Sequence, residues 1–349
     1  MLESHRFAPA FRRGAGSEFP MKIAMFSTKP WVHQAFDPLV ASFHADITWL
    51  EPRLEPATAT LAAGHEVACV FVNDQIDATV LARMKDVGVG LVALRCAGFN
   101  NVDLKAASRL GIGVVRVPAY SPYAVAEHAV GLMLCLNRRF HRAWSRVLEG
   151  NFTLDGLLGF DLRGKTVGVV GTGKIGQVVC GILNGFGCRI LAYDTYPNAV
   201  LAATGVEYVD LSTLYAQSDI LTLHCPLTPE TRHLIDAESL DAMRNGVMII
   251  NTSRGPLIDT AAVIAALKSG KIGYLGLDVY EEEHGLFFED HSQEVIQDDV
   301  FVRLQTFPNV LITAHQAFFT KEAVDNIAHT TMANIREYLE TGTSGNRVD

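Results

Sequence analysis

The chain has 349 residues, 49% hydrophobic and 19% charged, with 29 glycines; this suits two domains with their own cores and excludes disorder and collagen. With 29 basic against 38 acidic residues the formal charge is -9, which argues against nucleic acid or an anionic membrane surface and favours a small soluble metabolite. Apolar stretches such as 129–136 fall short of the roughly 20 residues of a membrane span, and six cysteines without a C-x-x-C pair suggest neither disulfides nor zinc, so a cytoplasmic location is expected.

Residues 1–20 show no periodic pattern and no apolar signal core, and their Gly-Ser-Glu-Phe end reads as a cloning tag, with a leader as the alternative. From Met21, short apolar strands alternate with helical stretches, the pattern of parallel sheets covered by helices. Strands are predicted at 21–27, 45–50, 67–72, 90–95 and 112–117. Helices such as 77–86 and 103–109 each open on an Asp suited to cap free N–H groups. His65-Glu66-Val67-Ala68-Cys69 has a zincin-like spacing but places Cys where the second His is needed, so it is read as a strand entrance and no metal is expected.

Residues 121–149 are predicted as one long amphipathic helix, interrupted by His128, Arg138, Arg139 and Arg142, with a length suited to an interdomain or subunit contact. A second series of strands follows at 166–170, 189–193, 219–224, 247–251, 274–279 and 310–314, with helices such as 174–185 and 259–268 between them. Six is the strand count of a full dinucleotide-binding sheet. The acidic, aromatic connection 281–308 is longer than a turn requires and is read as a functional segment or an ordered cap. A final helix is expected over 321–340.

Gly171-Thr172-Gly173-Lys174-Ile175-Gly176 follows a strand and opens a helix, and Asp194 closes the next strand. The first glycine suits a tight turn, the second a close backbone approach to a pyrophosphate, and the third close helix–strand packing. Asp194 would accept hydrogen bonds from a ribose and repel a 2′-phosphate, so NAD is expected over NADP; the bland alternatives are an ordinary glycine turn and a strand-end cap. No G-x-S-x-G, G-x-x-x-x-G-K-[ST] or H-E-x-x-H motif occurs, which removes support for hydrolase and nucleotidase chemistry. Hydride transfer then needs a cation for an acid substrate and a group to exchange the hydroxyl proton. Candidates follow strands of the second series: Asn251-Thr252-Ser253-Arg254-Gly255, Asp278-Val279-Tyr280-Glu281-Glu282-Glu283 and Ala314-His315-Gln316-Ala317-Phe318. Singly, Arg254 reads equally as a surface ion pair, Glu283 as a solvated acid and His315 as a capped strand-end histidine.

In order, these segments together with Val117-Pro118-Ala119-Tyr120-Ser121-Pro122, Leu223-His224-Cys225-Pro226-Leu227 and Leu286-Phe287-Phe288-Glu289-Asp290 carry a resemblance. From Met21 to about Gly342 the chain resembles the D-isomer-specific 2-hydroxyacid dehydrogenases, most closely their bacterial fermentative D-lactate dehydrogenase branch. The resemblance implies two parallel-sheet α/β domains, a Rossmann NAD-binding domain over 120–315 and a discontinuous flavodoxin-like substrate domain over 21–119 and 316–349, with the active site in the cleft between them.

It further implies Arg254 as the substrate-carboxylate ligand, His315 as acid/base, and Glu283 as the acid that orients His315 and raises its proton affinity, with Glu281 and Glu282 left as solvated or packing acids. Ala97, Gly98, Tyr120 and Phe318 match substrate-side positions. The glycine loop (Gly171, Thr172, Gly173, Lys174, Ile175, Gly176), Asp194, His224, Cys225, Pro226, Thr231, Thr252, Ser253 and Asp278 match the NAD side. Lys174 stands where many relatives carry His, Arg or another residue, which alters electrostatics at the pyrophosphate; Cys96 and Cys225 are read as packing residues. The implied activity is reduction of pyruvate to D-lactate by NADH. A glyoxylate, hydroxypyruvate or phenylpyruvate reductase would share every named residue, and an NADH-sensing co-regulator that binds protein partners is the reading from another class. A homodimer or homotetramer through the NAD domain is expected, with no nucleic-acid or membrane partner.

Overall fold

A computed structural model describes residues 19–348; of the expected tag or leader at 1–20, residues 1–18 lie outside the described residues. The chain divides into two compact units, one running to Ser121 and resuming at Thr320, the other spanning Pro122–Phe319. The divisions fall a few residues later than the 119/120 and 315/316 boundaries anticipated from sequence. Gln316 and Ala317 stay with the second unit because their N–H groups are bound by the carboxylate of Asp278.

The first unit is a five-stranded sheet of β1 (Met21–Met25), β2 (Ala45–Trp49), β3 (Val67–Val70), β4 (Leu91–Leu94) and β5 (Gly113–Val115). All pairings are parallel, in the order β2-β1-β3-β4-β5, which is the flavodoxin-like order. β3 and β4 are buried throughout, whereas edge strand β2 alternates half-buried and exposed residues. The helices Ala78–Asp86 and Leu104–Leu110 begin where Asp77 and Asp103 accept the N–H of Val80 and Ala106, each at 2.9 Å. The terminal helix Lys321–Thr341 returns to this sheet, and a Cβ on Gly113 would stand 2.2 Å from the hydroxyl oxygen of Tyr338, so the missing side chain makes room for that ring.

The second unit carries a seven-stranded parallel sheet: β6 (Thr166–Val170), β7 (Arg189–Tyr193), β8 (Glu207–Tyr208), β9 (Ile220–Leu223), β10 (Val247–Asn251), β11 (Ile272–Leu277) and β12 (Val310–Ile312). The order β12-β11-β10-β9-β6-β7-β8 reverses direction between β6 and β9, the crevice where open α/β sheets bind dinucleotides. β8 is one strand more than expected; two residues are too few to show a period.

The single helix anticipated over 121–149 is two, Pro122–Arg138 and Phe140–Leu148, broken at Arg139, whose φ is +50°. The break is fastened on both sides. The Asn137 amide donates to the carbonyl of Phe160 and accepts its N–H, while the Arg139 guanidinium lies 5.5 Å from the centre of the Tyr274 ring. The first helix buries an apolar face; the second buries no residue. The long connection after Glu281 is an ordered cap. It inserts Phe287 and Phe301 into the core, contains the helix Asp299–Gln305, and is pinned by the Tyr280 hydroxyl donating to Asp298 at 2.8 Å. Among the described residues no helix is long and apolar enough to cross a membrane, and no group of three or more His, Cys, Asp or Glu is placed to hold a metal ion.

Candidate active site

Because every strand of the second sheet runs the same way, the turns that leave β6, β7, β9, β10, β11 and β12 emerge at one edge. Six sequence motifs therefore share a rim: the glycine loop, Asp194, the 224–231 turn, the Arg254 turn, the 278–283 turn and the His315 turn.

At the glycine loop, Gly171 has a φ of +92° and a Cβ there would lie 2.6 Å from the backbone of His224 and Cys225. On Gly176 a Cβ would lie 2.0 Å from the carbonyl oxygen of Gly171, whereas above Gly173 there is open space. Gly173 caps the helix Lys174–Gly185, so its N-terminal N–H groups, beginning with Lys174 and Ile175, are available to an anion. Asp194 accepts from the N–H and hydroxyl of Thr172 at 2.6 and 3.0 Å and from the N–H of Tyr196 at 2.9 Å. Burial works against its charge, but those bonds prevail and hold the carboxyl below its ordinary range. A carboxylate offers about four acceptor positions, so room remains for a ribose hydroxyl.

His224 is made neutral by desolvation, which lowers its imidazole to about 4, and its Nε2 lies 2.9 Å from the hydroxyl of Thr222. Burial pushes the Cys225 thiol up to about 11, which suits packing rather than nucleophilic attack. The Cys225 carbonyl accepts from the Ser253 hydroxyl at 2.7 Å, and the Thr231 hydroxyl closes the turn on the Pro226 carbonyl at 2.7 Å. The Thr252 hydroxyl oxygen is buried without a partner. An orphaned hydroxyl beside the glycine loop's neighbours, together with the space over Gly173, fits a bound dinucleotide.

The polar half of the site rests on the next three strands. Asn251, at the end of β10, shapes the Arg254 turn: its amide donates to the Arg254 carbonyl at 2.9 Å and accepts the Ser253 N–H at 3.0 Å. Arg254 Nη1 donates to the Ser253 carbonyl at 2.6 Å, and among the described residues no carboxylate pairs with this guanidinium. A Cβ on Gly255 would stand 1.9 Å from the carbonyl oxygen of Tyr280, so the Arg254 turn and the 278–283 turn touch backbone to backbone.

His315 lies in the left-handed region at φ +53°, with Nδ1 3.1 Å from Glu283 Oε1, and its ring centre is 5.6 Å from that of Phe288. Asp278 is 1% exposed; its carboxylate accepts the Thr313 hydroxyl at 2.7 Å and the N–H groups of Gln316 and Ala317 at 2.9 Å each. It is a brace for the His315 turn, built into the structure. Phe318 is buried and packs edge-on against Phe319.

Glu281 is not solvated. Its carboxylate meets His233 Nε2 at 2.5 Å and accepts from the Thr260 hydroxyl at 2.9 Å, while Glu282 is exposed. Ala97, Gly98 and Tyr120 belong to the first unit. The carbonyl of Ala97 accepts from Arg116 at 2.8 Å, that of Gly98 from the Cys96 thiol at 3.3 Å, and that of Tyr120 from Asn326 at 2.7 Å. Sequence reasoning assigned no role to Asn251, Thr313 or Phe288, nor to His128, whose Nε2 is 2.9 Å from the Thr313 hydroxyl. The signal for His128 was present as a polar residue inside an apolar helical face.

Residues 130–317 match the family model described as the D-isomer specific 2-hydroxyacid dehydrogenase, NAD binding domain. A D-lactate dehydrogenase of Escherichia coli is 55% identical over 322 residues, covering 92% of this chain and 98% of that protein. A 2-hydroxyacid dehydrogenase homolog of Haemophilus influenzae is 57% identical over 315 residues, 90% of this chain and 95% of its own. Among solved structures, the pyruvate reductase of Chlamydomonas reinhardtii superposes with a TM-score of 0.87 at 50% identity, covering 92% of this chain and 96% of that one.

Proposed function

Because the chain belongs to the D-isomer-specific 2-hydroxyacid dehydrogenases, NAD-binding enzymes of small 2-hydroxy acids, we propose that it is a D-lactate dehydrogenase reducing pyruvate. The observation that carries the reading is the His315–Glu283 pair at 3.1 Å, on the same sheet rim as an arginine without an internal carboxylate partner among the described residues. Support for pyruvate comes from the E. coli D-lactate dehydrogenase and the Chlamydomonas pyruvate reductase, both at least half identical to this chain.

The glycine loop and Asp194 would hold NADH, which would supply the hydride. Arg254 takes the substrate carboxylate in its planar fork and so sets the carbonyl carbon in line for reduction. Protonated His315 gives its proton to the carbonyl oxygen, and Glu283 orients the imidazole through Nδ1, leaving Nε2 for the substrate. Oxidation of D-lactate reverses each step. Ala97, Gly98, Tyr120 and Phe318 match substrate-side positions of the family. The six free cysteines suit a reducing cytoplasm.

The protein assembles as a homodimer or homotetramer through the NAD domain. Support lies in the helix Phe140–Leu148 and the segment after it, where Phe140, Trp144, Leu148, Phe152, Leu154 and Leu158 are all exposed; large exposed apolar side chains close together in the chain suit a subunit contact.

Initial rates of NADH oxidation with pyruvate, glyoxylate, hydroxypyruvate and phenylpyruvate test the assignment. The expected result is the highest kcat/KM for pyruvate. A clear preference for another keto acid overturns the substrate, and silence on the whole panel turns the reading to an NADH-sensing binding protein.

A further inference from the structure

His128 is a polar side chain on the buried face of Pro122–Arg138, beside Ala124, Val125, Ala129 and Leu132. Its Nε2 lies 2.9 Å from Thr313 Oγ1 and 3.5 Å from Asp278 Oδ1. Since the Thr313 hydroxyl spends its one proton on Asp278, the bond between His128 and Thr313 requires Nε2 to be the donor. Desolvation lowers the imidazole's proton affinity against the opposing pull of Asp278, so at neutral pH it acts as a neutral N–H donor.

The buried Asp278 carboxylate has no lysine or arginine partner among the described residues, so its charge rests on hydrogen bonds, and losing one is costly. Two of those bonds bind the N–H groups of residues 316 and 317, and the Asp278 carbonyl accepts the N–H of His315 itself at 2.6 Å. They fasten a histidine in a left-handed conformation that a non-glycine residue adopts only when its surroundings hold it there.

We propose that His128 is a positioning residue: through Thr313 and Asp278 it fixes the turn that sets the His315 imidazole against Glu283. This rests on the reading of His315 as the acid/base. The titratable groups bonded into the arrangement are Glu283 and His315 on the 283 and 315 turns, Asp278 at the end of β11, and His128 on the helix packed over β11 and β12.

The test compares His128→Leu, His128→Gln, Thr313→Val and His315→Gln in the full chain. It measures NADH binding by fluorescence, the melting temperature, and the pH profile of pyruvate reduction. His128→Leu and Thr313→Val should each lower kcat about fivefold, the effect of one net hydrogen bond, with the KM for pyruvate and NADH affinity nearly unchanged. In both, the alkaline limb of the pH profile should move to lower pH, because a loosened His315 loses its contact with the Glu283 charge. His128→Gln, which keeps a terminal N–H, should recover most of the loss, and the double variant should be no worse than either single.

Wild-type kcat in His128→Leu, or a fall in kcat and melting temperature with an unmoved limb, overturns the proposal. If His128→Leu does not fold, Thr313→Val decides by the same limb. His315→Gln separates the two readings: if it keeps turnover, the acid/base assignment fails, whereas its inactivity beside unaltered His128 and Thr313 variants overturns only the positioning role.

Discussion

Replacing Glu283 by Gln removes one charge from the imidazole while leaving a side chain that can still accept a hydrogen bond. At 3.1 Å a unit charge attracts an imidazolium by about 1.3 kcal/mol even at the dielectric constant of water, a factor of about ten. On the proposed mechanism pyruvate reduction uses the protonated imidazole, so removing that charge should lower kcat/KM for pyruvate by about tenfold and move the alkaline limb of its pH profile to lower pH. D-Lactate oxidation, which on the same mechanism uses the neutral form, should gain activity at lower pH. The assay is kcat/KM against pH in both directions at saturating cofactor, with Glu282→Gln as the exposed control. An unmoved alkaline limb in Glu283→Gln with normal turnover would refute the role.

Glu281→Gln should act on stability instead. Burial opposes the Glu281 charge, but hydrogen bonds from His233 and Thr260 outweigh it and hold the carboxyl below its ordinary range. Its stabilisation is therefore present above the unfolded glutamate value of about 4.3 and lost as pH falls through the lower folded value, so the melting-temperature gap to wild type should be open at pH 7 and close on acidification. Arg254→Lys should raise the KM for pyruvate and lower kcat, for a combined loss of roughly tenfold or more, with NADH binding by fluorescence intact; a collapse of NADH binding would make Arg254 structural. Asp194→Ser should cut the preference for NADH over NADPH by about tenfold or more, measured as a ratio of kcat/KM values. In light scattering, Trp144→Glu with Leu148→Glu should reduce the assembled mass toward that of a single chain.

The strand positions could be anticipated because parallel strands buried on both faces read as unbroken apolar runs, as Val67–Val70 and Leu91–Leu94 do. Helix starts were legible where an Asp caps the first turn, as at Asp77 and Asp103. The break at Arg139 was not, because a left-handed arginine leaves no mark in composition and is held by residues 137, 160 and 274, brought together only by folding. The same limit applied inside the site. Glu281, Glu282 and Glu283 are three consecutive acids in the sequence, but folding gives the first to His233, leaves the second exposed and turns the third to His315. Asp278 read as a cofactor-side acid; that it braces the His315 turn depends on backbone groups 38 and 39 residues away.

The backbone contact between Gly255 and Tyr280 bears on how such an enzyme can diverge. With 1.9 Å between a would-be Cβ and a carbonyl oxygen, no side chain can enter at position 255 unless the loop that leads to Glu283 shifts with it. The Arg254 turn and the 278–283 turn, the proposed anion-binding and proton-transfer arms, are thus inherited as one piece, and mutations that reshape either are filtered by their effect on the other. A lineage adapting to a bulkier keto acid would have to explore changes elsewhere, and relatives of differing specificity should keep a glycine at the position equivalent to 255.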